Sequence, residues 1–530
     1  MKENVTIIMD RFKNMLSLQK AVFRIVMINK RKINQYKKTL LCFSVLVSML
    51  IVMYSCEFNI KENGSVKDDH APSDGHAGNM KYENTLISDN PIDYGEILPT
   101  AYLNELDIPD FMHASIRIAA YDGSYVFSSQ DNDPLHDAVN DRNLLAMEKL
   151  GAFITEIKIE PAVFFDTIAN QYNSGISSCD MLVIPYSLMP AFVANDMLMN
   201  AKSLRYTDYS KPYFDQNAMN SLTPGRMVYG VIGDYTFSPD KYWCTFYNKD
   251  LAKAIGLRDP SELFDQNAWN WETALLYAKN ASARGYTAMT ASGDDNTFCD
   301  MVWASSGIQL IENEIPYAPQ MCYNTNEAKE LIKFIKNSFF SKNDTFVSED
   351  STISGALELF KEGRTLFCFS RSSSISHLNS VGFEWGIIPL PYYTSSDTAS
   401  SYVDTSAQAV FFLNDIPDTD LTGAAIQTLS AASAGKLRKA YLDLTMNYYL
   451  RDNKSALIFD KIFDRAYYDM GYMLGPSIVD VATATVDIIH NTVFLNLNFK
   501  DLYNQSIVAF NERYSHRDFF SVEKLDFEAE

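Results

Sequence analysis

The chain has little of what marks a metalloprotein, a redox protein or a common enzyme. Seven cysteines and seven histidines are spread over 530 residues, with no CxxC pair. That excludes the usual zinc spacings and gives no disulfide framework. His70 and His76 lie in an acidic spacer-like run, and His113, His136, His377, His490 and His516 have no partner at metal or triad spacing. There is no GxSxG elbow, HExxH helix, Walker loop or GxGxxG turn, and Asp/Glu pairs are too plentiful to single out a glycosidase dyad. Basic residues are outnumbered, 45 Lys+Arg against 66 Asp+Glu, for a net charge of −21. Phosphate-binding proteins cluster Lys and Arg, so this balance argues against nucleic acid. What is present is a core: 47% hydrophobic and 13% aromatic residues exclude a disordered chain.

The charge is divided. Residues 1–55 carry +8 and the other 475 carry −29. After Lys37-Lys38 the run Thr39–Tyr54 is uncharged for sixteen residues, short of the ~20 that span a bilayer. A basic stretch, an apolar stretch and then Met53-Tyr54-Ser55-Cys56 resembles a bacterial lipoprotein signal, in which the cysteine is acylated and becomes the mature N-terminus. Residues 1–55 are therefore expected to be a signal peptide, with translation starting at Met27, and Cys56 to be the lipidation site. Residues 56–113 are expected to be a flexible tether. The remaining cysteines, 179, 244, 299, 322 and 368, mostly sit in apolar runs and read as buried free thiols.

From Ser115 the pattern alternates. Ile116–Tyr121, Phe153–Ile159 and Met181–Ile184 read as strands, separated by helices at Asp137–Leu150 and Val163–Tyr172. This βαβαβ series predicts a parallel, doubly wound sheet whose ligand loops follow the strand ends. Met227–Ile232 and Tyr242–Tyr247 read as strands around the loop 233–241, as do Leu366–Phe369 and Trp385–Ile388. Helices are expected at Trp271–Ala283, Ala328–Phe339, Ile353–Lys361, Leu437–Leu450, Ala456–Phe463 and Val479–Ile489.

Several blocks, in order, resemble the maltose-binding-like extracellular solute-binding proteins that serve ABC importers. They are Cys179–Tyr186, Phe246–Leu257 followed by Trp269-Asn-Trp271-Glu, Leu359–Phe367, Trp385–Pro391, and Leu450–Ile462 with Tyr467–Gly471. The resemblance spans about residues 115–475. It implies two doubly wound α/β lobes joined by a hinge, with the chain crossing between them more than once. Lobe I would hold 114–225 with about 406–455, and lobe II 226–405 with about 456–530. It further implies no cofactor and no catalysis, an ABC permease as partner, a membrane anchor through the lipid, an extracellular location and a monomer. The run 292–326 is more acidic than a sugar cleft needs, and the Ser/Thr/Tyr-rich 392–406 has no match in the family pattern. A surface lipoprotein of the same fold, acting as sensor or adhesion module without transport, is the alternative; a neighbouring permease pair in the genome would separate the two.

A sugar site needs flat aromatics for ring faces and Asp, Asn, Arg or Ser for hydroxyls. By position in the matching blocks, the expected ligand residues are Asp122, Tyr186, Ser187, Tyr235, Lys241, Tyr242, Asn296, Ser370, Arg371 and Tyr392. Arg371 leads them, because a guanidinium at a strand end can fork onto hydroxyls or a carboxylate. Tyr242, at a strand end, fits packing as well as stacking. All five tryptophans read as core or helix-start residues, and Asp234 and Asp240 flank turn residues.

Overall fold

A computed structural model describes residues 94–127, 133–223, 227–314, 318–340, 346–347, 353–393, 401–450, 452–475 and 479–515. The expected signal peptide, Met27 and Cys56 lie outside them. In chain order the strands are β1 (Ser115–Ala120), β2 (Phe153–Ile157), β3 (Met181–Pro185), β4 (Trp243–Asn248), β5 (Thr287–Ala291), β6 (Ile311–Glu314) and β7 (Ala318–Met321). They continue as β8 (Phe346–Val347), β9 (Thr365–Arg371), β10 (Trp385–Ile388), β11 (Ser401–Tyr402), β12 (Gln408–Phe411) and β13 (Ala466–Tyr467).

Two sheets define two lobes. The first has the order β12-β3-β1-β2, with β1 parallel to β2 and β3, and β12 antiparallel to β3. Every residue of β3 is buried, as a strand covered on both faces must be. The second sheet, β10-β4-β9-β5-β8, is mixed: β5 runs parallel to β8 and β9, while β4 runs antiparallel to β9 and β10. The chain leaves the first sheet after residue 236, builds the second, and returns to the first through β12. The helices Thr419–Ser433 and Lys436–Tyr448 then pack against the first lobe's helix Pro134–Leu150. Helix Asn453–Phe463 crosses back to lie on β10.

Local chemistry sets these boundaries. Asp133 caps the helix Pro134–Leu150 by accepting from the Leu135 and His136 amides, with Pro134 at its first turn, and Gly151 ends it at φ 63°. Asn248 ends β4 and caps the next helix through the Leu251 amide at 2.8 Å. Asn270 does the same for helix Trp271–Ser282. Asp452, the cap of Asn453–Phe463, also receives Lys249 Nζ at 2.6 Å, which ties the two ends of the second lobe together. All five tryptophans are buried. The five cysteines among the described residues are free, four of them buried and Cys322 partly so.

Four expectations change. Residues 94–105 are not tether: they form a helix, with Leu103 buried and the Tyr102 ring 5.2 Å from that of Tyr213. Met227–Ile232 is buried but is not a strand; its backbone bonds go to Ala201, to Asn200 and, at Val231, to Val410. Within it Gly230 packs so closely that a Cβ would lie 2.9 Å from the Phe411 ring. The expected helix Val479–Ile489 breaks at Thr485 into Val479–Ala484 and Val486–Phe494. Helix Thr419–Ser433 and strand β12 appear where the sequence showed no periodic pattern.

Candidate functional site

The chain crosses from the first sheet to the second between residues 234 and 243, and returns between 403 and 408. Side chains from both lobes meet there. On the first-lobe side, the loop after β1 is an Asx turn: Asp122 Oδ1 accepts from the Ser124 amide at 3.0 Å and its hydroxyl at 2.6 Å. Arg142, fully buried on helix Pro134–Leu150, holds the same loop by donating to the carbonyls of Tyr125 (3.1 Å) and Val126 (2.8 Å). Its guanidinium lies 4.7 Å from the centre of the Tyr235 ring. Among the described residues no carboxylate pairs with it, and burial depresses its pKa to about 10.

The second-lobe side carries two ion pairs. Lys241 Nζ sits 2.7 Å from Asp240 Oδ2, and Arg371 Nη1 3.2 Å from Asp404 Oδ2. The Asp404 amide donates to the Lys241 carbonyl at 2.8 Å, so the outgoing and returning segments are locked to each other. Tyr125 reaches across toward Asp240; burial first, then that carboxylate, push its phenol upward. Gln408, at the start of β12, donates to the Asp122 carbonyl at 3.0 Å. Four buried polar atoms here have no hydrogen-bond partner among the described residues: Tyr235 Oη, Asp240 Oδ1, Arg371 Nε and Gln408 Oε1. Buried polar atoms are seldom left so, which makes these the candidate contact atoms of the site.

Beside this cluster is a cavity of about 400 Å³. Phe214, Phe237, Tyr242 and Phe463 form its apolar walls, and Asp215, Asp234, Gln408 and Arg438 its polar ones. The rings of Phe237 and Tyr242 meet that of Phe463 edge-on at 5.1 and 5.0 Å. Arg438 is occupied: Nε is 2.6 Å from Asp460 Oδ1 and Nη2 2.7 Å from Asp464 Oδ1. Burial raises Asp234 to about 7; the Gly435 amide (3.1 Å) and Arg438 oppose the rise, and Asp215 adds to it. Asp215 is likewise raised by burial.

Of the ten expected ligand residues, Asp122, Tyr235, Lys241 and Arg371 fall in the cluster and Tyr242 lines the cavity. The other five do not join them. Tyr186 is buried beneath β3 with its hydroxyl bonded to the Leu222 carbonyl at 2.5 Å, so it is core; Ser187 continues the same short turn. Ser370 is fully buried in a hydroxyl chain with Ser292 (2.8 Å) and Ser374 (2.7 Å). Asn296 is exposed in the first turn of helix Asp295–Ala304. Tyr392 bonds through its hydroxyl to the Asn267 carbonyl and through its backbone to Trp269 and Trp271, a structural brace. Tyr125, Arg142, Asp215, Asp404, Gln408 and Arg438 were not expected. Only an Asx-turn spacing at Asp404–Ser406 gave one of them a local signal.

No group of three or more His, Cys, Asp or Glu among the described residues could hold a metal ion, and no described helix is long and apolar enough to cross a membrane. Two α/β lobes, repeated crossings and a polar cluster between the crossings define a two-lobed binding protein. The signature of bacterial extracellular solute-binding proteins spans residues 147–444, and the chain belongs to that family. No curated protein matches it in sequence. Among solved structures, it is similar to a family 1 extracellular solute-binding protein from Bifidobacterium longum subsp. infantis, at 14% identity and TM-score 0.50, over 76% of this chain and 99% of that one. It is also similar to the galacto-N-biose/lacto-N-biose I-binding protein of a Bifidobacterium longum ABC transporter, in complex with lacto-N-biose. There the identity is 12% and the TM-score 0.50, over 77% and 99% of the two chains. At these identities the likeness is one of fold.

Proposed function

We propose that the protein is the receptor of an ABC importer, capturing a carbohydrate or similar small polar solute between its lobes. In this reading lobe I holds residues 114–236 with about 406–455 and lobe II 237–405 with about 456–530, the boundary falling later than 225 because Val231 pairs with Val410 of the first sheet. The chain is anchored to the outer face of the membrane by a lipid on Cys56, and it carries out no catalysis. The observation that carries the reading is the set of unpartnered buried atoms, Tyr235 Oη, Arg371 Nε and Gln408 Oε1, on the crossing segments. A hydroxylated solute can satisfy both the donor and the acceptors, while the neighbouring aromatic walls take its apolar faces. The binding of lacto-N-biose by a protein of like fold is consistent with this.

The test is a thermal-shift screen of the purified full chain across sugars, peptides and polyamines. A solute that binds only the folded state raises the melting temperature by mass action, by about 2.7 kcal/mol of added stability at a hundredfold excess over Kd. No shift with any small solute would refute the receptor reading.

A further inference from the structure

We propose that the cavity receives an ammonium group of the solute, held by Asp215, Asp234 and Gln408. This rests on the receptor reading above and narrows its ligand class. Gln408 is only 5% exposed, and its amide nitrogen is committed to the Asp122 carbonyl. That fixes which way the amide points and leaves Oε1, a cavity-lining acceptor, without a donor among the described residues. Asp215 and Asp234 supply two more acceptors on the same walls. Each accepts a backbone amide, from Ala218 at 3.0 Å and Gly435 at 3.1 Å. Neither forms an ion pair among the described residues, and the one cation on the wall, Arg438, is bound by Asp460 and Asp464.

The cavity is thus rich in acceptors, carries two carboxylates besides Asp464, which is paired with Arg438, and is walled by aromatic side chains. An ammonium brings three donors, a positive charge, and attraction to those faces. A neutral sugar could satisfy Gln408 but would leave two carboxylates desolvated and uncompensated; an anion would add a third charge of the same sign. Burial, with Asp215 adding to it, displaces Asp234 upward. Asp234 is faced by Asp215, Arg438, Tyr242 and the Gly435 amide, and no other cation among them is available. Binding of an amine should therefore weaken as the pH falls below about 7.

The ammonium can come from an amino sugar or from an alkyl polyamine. Calorimetry of the detergent-solubilised full chain near pH 7.5 would compare the glucosamine disaccharide, its N-acetylated form and spermidine. An amine-bearing probe should bind at least tenfold tighter than the acetylated one, and whichever amine is preferred names the source. Asp234→Asn keeps an oxygen for the Gly435 amide, and should abolish that preference, the ratio of amine to acetylated affinity falling to about one. Asp215→Asn, whose side chain still caps its helix, should reduce the preference as well. The proposal is overturned if the acetylated probe binds as tightly as the amines, or if Asp234→Asn leaves the preference intact; the receptor reading then stands. Failure of every probe to bind would overturn the ammonium assignment alone; the receptor reading is refuted only by the absence of any shift in the thermal-shift screen.

Discussion

Arg142→Met keeps much of the side-chain volume at the centre of the site and removes every donor. Three losses dominate, beside the Nε bond to the adjacent Asn143 Oδ1 (2.9 Å). The Tyr125 carbonyl, which has Arg142 as its side-chain donor, is orphaned at about 1–3 kcal/mol. The bond to Val126 costs about 1–2 kcal/mol, at the low end because Asn143 Nδ2 also reaches that carbonyl at 3.0 Å. The stacking on Tyr235 adds about 1 kcal/mol. Against them stands relief from burying an unpaired charge. The displacement of Arg142 from 12.5 to about 10 corresponds to roughly 3 kcal/mol at neutral pH. The net loss is therefore about 0–3 kcal/mol. For a folded unit of this size, at ~2 cal/mol/K of unfolding entropy per residue, that is at most ~3 °C in Tm. Solute affinity should fall much further, by tenfold or more, because the loop bearing Asp122 and Tyr125 loses its anchor while the fold does not. Scanning calorimetry and titration of one preparation check both numbers. A melting temperature lowered by more than about 6 °C, or an unchanged affinity, would refute the reasoning.

Other expectations are simpler. Arg371→Gln removes a partly exposed ion pair with Asp404, so stability should move by less than about 1 kcal/mol, while titration calorimetry should show solute affinity down at least tenfold. Gly423→Ala would set a Cβ 1.9 Å from the Arg205 carbonyl, and urea unfolding should show a loss of about 1–3 kcal/mol or more. Asp469, buried and bonded to the amides of Leu310 (2.7 Å) and Gly471 (2.6 Å), is raised by burial to about 6. A raised carboxyl stabilises the fold below its unfolded pKa of about 4, and that contribution is lost as pH rises through about 6, a change of roughly 3 kcal/mol. Asp469→Asn should flatten this part of the urea-unfolding profile between pH 4 and 7, and Asp469→Ala should unfold at markedly lower urea throughout.

How far the sequence could be read depended on how local the cause was. The strands β1 and β3 and the helix between them follow from periodicity, caps and a closing proline or glycine, all within a few residues of each other. Helix Thr419–Ser433 is buried on nearly every face with small residues such as Gly423, Thr428 and Ser430, so it has no polar side to betray its period. Its Gly423 meets the Arg205 backbone, a contact between residues more than two hundred apart that no local pattern shows. The site divides in the same way. Arg371 and Lys241 were legible as polar residues at strand ends. Arg142 was not, because it looks like any solvent-facing arginine on a helix until the loop carbonyls are seen beneath it. Tyr186 misled for the converse reason: its place after β3 is a ligand position by topology, but the carbonyl of Leu222 claims its hydroxyl.

The location of the unpartnered atoms has a consequence for closure. Tyr235 belongs to the last turn before the chain leaves the first sheet, Arg371 to the end of β9 in the second, and Gln408 to the strand by which it returns. The Asp404 amide on the Lys241 carbonyl binds the outgoing and returning segments into one strap. Rotation of the lobes about that strap must change the separation of Arg371 from Tyr235, because they are rooted in different sheets. Gln408 moves with the first sheet, through its bond to Asp122 and its pairing with β3. A solute that bridges Arg371 to Tyr235 and Gln408 therefore interacts differently with open and closed forms, which is the condition for a ligand to drive a hinge at all. One that touched only the Asp234 side of the cavity would bind without closing it.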